Sequence, residues 1–177
     1  MVEEIILEEE AIALERTREG TWPGESILGR PIRTLPELQP PIVLGPDATV
    51  RDALGVMNRA TVGCVLVAEG GKLVGIFTER DLLTKVAGAR DIDTTRLADV
   101  MTRDPECLTL DDSIAYALNK MSVGGFRHVP LVDEDGHPTG LVGMRSVVDF
   151  LVELFPREVL TLPSSPAKQI SPTREGA

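Results

Sequence analysis

Apolar residues recur at helical spacing in two places along the chain. Val50, Ala53, Leu54 and Met57 fall at i, i+3, i+4 and i+7, and Ile114, Ala117, Leu118 and Met121 do the same. Each stripe begins after a residue able to cap a helix, Thr49 or Ser113. A short extended piece precedes each helix, at 42–44 and at 107–108. A buried strand follows, at 64–68 and 129–132. Then come a turn (69–72 or 133–136), a second strand (73–77 or 140–142) and a last helix. That helix runs over 79–86, closed by Gly88, in the first case, and over 145–154, closed by Pro156, in the second.

The two patterns align residue by residue. Sliding 44–57 onto 108–121 pairs Leu44 with Leu108, Asp47 with Asp111, Ala53 with Ala117, Leu54 with Leu118 and Met57 with Met121. With one extra residue allowed around Gly124–Gly125, Leu66 meets Leu131, Val67 meets Val132, Gly75 meets Gly140 and Arg80 meets Arg145. One single-residue gap over this length marks an internal repeat. Neither unit alone buries enough surface to be stable. The prediction is therefore a mixed α/β (α+β) fold, with two β-α-β-β-α repeats packed face to face with pseudo-twofold symmetry.

The flanks read differently. Residues 3–16 interleave Ile5, Ile6, Ala11, Ile12 and Leu14 with glutamates, an acidic amphipathic helix stopped by Gly20 and Pro23. Residues 20–46 are rich in glycine and proline and read as a linker laid on the surface. After Pro156 the composition is that of a flexible tail. The expected boundaries are 1–26 for the acidic helix and linker, 27–90 for the first repeat, 91–156 for the second and 157–177 for the tail.

Charge narrows the function classes. The 177 residues carry 18 Lys and Arg against 28 Asp and Glu, a formal net charge of −10. Half of it lies in residues 1–20, where seven Glu face Arg16 and Arg18. Nucleic-acid binding draws on cations set against phosphates, so an acidic chain argues against that partner. Aromatics are 3% of the chain, which makes the core aliphatic. No run is long enough to span a membrane and the acidic start lacks the layout of a signal peptide, so a cytoplasmic protein is expected. Cys64 and Cys107 lie far apart in apolar surroundings and read as reduced core thiols, a disulfide being the alternative. His128 and His137 without a paired cysteine motif make no standard zinc site.

Three stretches, residues 73–83, 99–105 and 126–133, carry a resemblance to the tandem cystathionine-β-synthase (CBS) domain pair over about residues 27–155. The resemblance implies a regulatory binding module rather than an enzyme. It implies an adenosine-containing ligand, such as AMP, ADP, ATP, S-adenosylmethionine or NAD, held in clefts between the repeats. It further implies a homodimer, and signalling to a partner protein.

The family's ligand motif corresponds here to Gly75-Ile76-Phe77-Thr78-Glu79-Arg80-Asp81. Asp81 is suited to accept hydrogen bonds from both ribose hydroxyls, and Thr78 to face a ribose or phosphate oxygen. Gly75 would let the backbone lie close to the ligand. Thr78 and Asp81 also have the spacing of a capping box, so the pair is at once a candidate site and a candidate helix start. In the second repeat the ungapped register puts Gly143 and Ser146 at these places, which loses the carboxylate; a shifted register would restore Ser146 and Asp149. One competent nucleoside site is expected. By resemblance, Val43 and Val62–Cys64 recognise the base, and Arg127 and His128 contact phosphate or else play structural parts. An alternative is a ligand-free dimeric scaffold in which residues 3–16 and Trp22 dock a partner.

Other motifs fail. Leu66 and Leu73 stand where a phosphate loop around Gly70-Gly71-Lys72 would need Gly and Ser or Thr. The turn at Asp133 ends on Met144 where a calcium loop needs Glu. No Ser, His and Asp arrangement supports a hydrolase.

Overall fold

The computed structural model describes residues 27–154. The predicted helix at 3–16, Trp22 and the tail lie outside them. In the first repeat, β1 (Val43–Leu44) leads to α1 (Val50–Ala60), β2 (Cys64–Glu69), β3 (Lys72–Thr78) and α2 (Glu79–Asp81). In the second, β4 (Thr102–Arg103) precedes α3 (Ile114–Gly124), β5 (His128–Val132), β6 (Pro138–Gly143) and α4 (Met144–Leu154). Among these residues no helix is long and apolar enough to cross a membrane.

The helix starts and stops follow local chemistry. Thr49 caps α1 and exchanges hydrogen bonds with Asp52 in a capping box, and the Ser113 side chain accepts from the Tyr116 N–H at the start of α3. Both helices end on a left-handed residue, Thr61 (φ 55°) and Gly125 (φ 66°). The helix expected over 79–86 is a single α-turn that widens into a π-helical turn over Leu82–Val86, where the Ala87 N–H reaches back to the Leu82 carbonyl at 2.8 Å.

Each sheet borrows an edge from the other half of the chain. The first runs β1-β2-β3-β4, with β1 parallel to β2 and the other pairs antiparallel. Its outer strand β4 is the approach to the second repeat. The second sheet pairs β5 with β6 and is flanked by Leu108, bridged parallel to Leu131, and by Gln39, bridged antiparallel to Leu141. Gln39 stands before β1 as β4 stands before Leu108, so the exchange of edges is reciprocal.

Side chains alternate along the strands. Val65, Val67 and Phe77 point toward Val50, Ala53 and Met57 of α1 in one core. Cys64, Leu66 and Ile76 point the other way and pack with Leu141 of the second repeat. The second repeat's core gathers Ile114, Ala117 and Met121 with Val129, Leu131 and Val142.

Two expectations need correction. The proline-rich stretch before β1 is not wholly a surface linker. Ile32 (0% exposed) and Leu35 (5%) lie in the second repeat's core, with Ile27, Leu28 and Leu38 packed against it. The Ile32 and Arg33 N–H groups donate to the Asp112 and Leu110 carbonyls, at 2.8 and 3.0 Å. Five aliphatic residues at this spacing outweigh the turn formers between them. The extra residue of the second repeat is also not at Gly124–Gly125. Cys64 pairs with Thr78 as His128 pairs with Gly143, and Val67 with Gly75 as Leu131 with Gly140. The offset is thus 64 through the first strand and 65 through the second, which places the insertion in the hairpin turn. Leu131 is the counterpart of Val67, not of Leu66.

Candidate functional site

Two clefts lie between the repeats, each built from both. The first encloses about 370 Å³. Its copy-one wall is the end of β3 and start of α2, with Thr78, Glu79, Arg80 and Asp81. Its copy-two wall is the segment from Thr102 to Glu106 and the approach to β5, with Phe126, Arg127 and His128. The second cleft, about 670 Å³, inverts the arrangement: Gly143, Met144 and Arg145 face Gln39, Thr61, Val62 and Gly63.

Asp81 is 6% exposed and forms the floor of the first cleft's copy-one wall. Its Oδ2 accepts from the Thr78 N–H (2.9 Å) and the Thr78 hydroxyl (2.7 Å). Its Oδ1 accepts from Lys85 Nζ (2.7 Å) and the Thr102 hydroxyl (3.2 Å). Burial would raise the Asp81 carboxyl, but the hydrogen bonds from Lys85 and Thr78 outweigh it and hold it below the usual carboxylate range. The Asp81 N–H in turn donates to Thr78 Oγ1 at 3.2 Å, which completes a capping box. The helix cap and the cleft-facing carboxylate are therefore one group. Thr102 ties it to β4, and hence to the approach to the second repeat.

The copy-two wall is polar at its rim. Arg127 is exposed, and His128 is half-buried. Burial, and then neighbouring Arg127, push the His128 imidazole down, against the pull of Glu79, so it is neutral at neutral pH. Arg80 spans the mouth, donating to the Gly125 carbonyl at the end of α3 at 2.9 Å. Gly63, Glu79, Arg127 and His128 line both clefts and form the partition between them.

Of the residues singled out in the sequence, Thr78, Asp81, Arg127 and His128 converge on the first cleft, and Gly63, inside the Val62–Cys64 stretch, lines it too. Val43, Val62, Cys64 and Gly75 do not. Val43 is exposed on β1 and lines neither cleft. Val62 lines the second cleft. Cys64 is buried between the sheets, and burial, with Glu79 nearby, pushes its thiol up to about 12. Gly75 makes room for protein rather than ligand: a Cβ there would run into Met101 Sδ. The correction has one physical reason. Because the repeats face each other, the end of one repeat's hairpin meets the start of the other's strand. The residues opposite Thr78 are thus the copy-two counterparts, Pro105, Glu106 and Phe126–His128. The repeat offset, applied crosswise, would have found them. Asp104, at φ 44° on the cleft wall, is a further lining residue within the 99–105 stretch that carries the resemblance.

In the second cleft Gly143 stands where Thr78 does, and Ser146, 8% exposed, where Asp81 does. Asp149 is one turn further along α4 and exposed, 3.5 Å from Arg145. The second cleft therefore has no buried carboxylate at the place of Asp81.

Comparison with known proteins places this geometry. The CBS domain pattern matches residues 35–88 and 97–153. An uncharacterized 17.7 kDa protein of Acidianus ambivalens is 34% identical over 113 residues, which are 63% of this chain and 68% of that one. The crystal structure of a CBS-domain-containing protein from Agrobacterium tumefaciens is 30% identical, with a TM-score of 0.58 over 64% of this chain and 90% of that one. A CBS domain protein from Pyrobaculum aerophilum, complexed with AMP, shares the fold at 24% identity, with a TM-score of 0.62 over 71% of this chain and 98% of that one. In several longer curated relatives, plant CBS domain proteins and inosine-5'-monophosphate dehydrogenases among them, the matched stretch is only 14% to 21% of the length.

Proposed function

The chain belongs to the CBS domain family, and on that premise we propose that its first cleft binds an adenosine-containing ligand and that occupancy is signalled to a partner protein. The observation that carries this reading is the convergence of Thr78 and Asp81 from one repeat with Phe126–His128 from the other around one cavity. The Pyrobaculum relative's complex with AMP supports it. A ribose at Asp81 would take the Oδ1 lone pairs now shared with Lys85 and Thr102, while Arg127 faces the phosphate end. AMP, ADP, ATP, S-adenosylmethionine and NAD all carry the adenosine portion. Because each wall belongs to a different repeat, a ligand bridging them favours one relative placement of the two, and through it one state of a homodimer or partner complex. The reading assigns no reaction to this chain.

One observation favours a second reading, a ligand-free scaffold: every hydrogen bond of the Asp81 carboxylate is already made within the protein. A thermal-shift panel with the five ligands separates the two. A ligand at about 100 times its Kd stabilises by roughly 2.7 kcal/mol. A shift in the wild type that Asp81→Ala abolishes supports the binding site. No shift with any of them leaves Thr78 and Asp81 as a helix cap.

A further inference from the structure

The charges around the first cleft do not balance one for one, and the residue without a partner differs from one side to the other. Consider the cations first. Lys85 is taken by Asp81 at 2.7 Å and Lys120 by Glu106 at 2.5 Å. Arg80 donates to the Gly125 carbonyl. His128 is uncharged near neutral pH because of its burial and of Arg127 beside it. Among the cations lining the cleft, the Arg127 guanidinium alone has neither an ion pair nor a hydrogen bond among the described residues. Of the four carboxylates on the wall, Asp81 and Glu106 are paired. Glu79 and Asp104 have no cation within ion-pair distance among the described residues. Glu79 stands at the partition, its Oε2 3.6 Å from where a Cβ on Gly63 would lie, with His128 Cε1 at 3.4 Å from the same point. Asp104 is held on the opposite segment in the left-handed region, at φ 44°.

We propose, resting on the reading of this cleft as an adenosyl-ligand site, that it selects ligands bearing no more than one phosphate group, Arg127 taking that phosphate and Glu79 and Asp104 repelling any further ones. One free guanidinium can pair bidentately with one phosphate. A second and third phosphate would bring their charge toward two uncompensated carboxylates at the rim, where like charges repel and salt screens the repulsion. AMP, or an adenosyl compound whose tail is neutral or cationic, fits this wall; a di- or triphosphate does not.

The test is isothermal titration of the full chain with adenosine, AMP and ATP, in a chelator-containing buffer at about 0.1 M salt. Wild type should bind AMP at least roughly tenfold more tightly than ATP, and the gap should narrow as salt rises. Arg127→Ala should weaken AMP while leaving adenosine unchanged. The pair Glu79→Gln and Asp104→Asn should raise ATP affinity toward that of AMP; asparagine tolerates the left-handed backbone at 104. ATP binding as tightly as AMP in the wild type, or an AMP–ATP gap unchanged in the double variant, overturns the selectivity. If that happens while Asp81→Ala still abolishes binding, the site reading stands and only the selectivity falls. If none of the three binds, or AMP affinity ignores Asp81→Ala, the site reading fails and takes the proposal with it.

Discussion

Replacing Ile32 by alanine removes three carbons from a side chain with no exposed surface. At about 0.8 kcal/mol per buried carbon the transfer loss is about 2.4 kcal/mol. The gap opens in a core whose other members, among them Ile114, Leu131 and Val142, are held by a helix and two strands. Incomplete collapse therefore adds a cavity term, bringing the expected cost to about 3–4 kcal/mol. The turn that carries Ile32 also leads to Gln39, whose carbonyl accepts from the Leu141 N–H at 3.0 Å and edges the second cleft. Urea unfolding followed by circular dichroism reads the cost as a lower midpoint at constant slope. Val43→Ala, at a residue 42% exposed, is the control and should change stability by about 0.5 kcal/mol or less. An Ile32→Ala cost no larger than that of the control would refute the reasoning and return residues 27–39 to the surface.

Three further outcomes are expected. Gly75→Ala should destabilise by about 1–3 kcal/mol, because its Cβ would press on Met101 Sδ; Met101→Ala in the same chain should recover part of the loss, and a strictly additive double mutant would count against that contact. Asp81 has a depressed pKa, so its stabilisation is present above its unfolded value near 3.9 and is lost as pH falls through the folded one. Below about pH 4 wild type should therefore lose stability faster than Asp81→Asn, and parallel urea midpoints from pH 6 to 3 would contradict this. The Cys64 thiol, held at about 12 and buried, should resist alkylation in the native protein at pH 8 and react on unfolding; rapid native labelling at Cys64 would show the inter-sheet packing to be open.

The repeat, the stripes on α1 and α3 and their caps were legible because they are local. Val50, Ala53 and Met57 declare a helix face without reference to anything distant. The chemistry at Thr78 and Asp81 was legible for the same reason, since a capping box is written in four residues. What could not be read locally was which parts of the chain meet. Ile32 enters the second repeat's core across some eighty residues, and the glycines and prolines around it obscure the aliphatic spacing of Ile27, Leu28, Leu35 and Leu38. The resemblance puts base recognition at Val62–Cys64, on the same repeat as Thr78, whereas the wall facing Thr78 across the first cleft comes from Pro105, Glu106 and Phe126–His128 of the other repeat. Side-chain identity alone puts the gap at Gly124–Gly125. The hydrogen-bond register, with Cys64 on Thr78 and His128 on Gly143, moves it to the turn.

The central claim is that one ligand is held by both repeats at once. Amide chemical-shift mapping during titration with AMP tests it most directly. The account predicts saturable shifts in two separate stretches, 78–81 and 126–128, with one shared affinity. Shifts confined to one repeat, or none up to millimolar AMP, would contradict it.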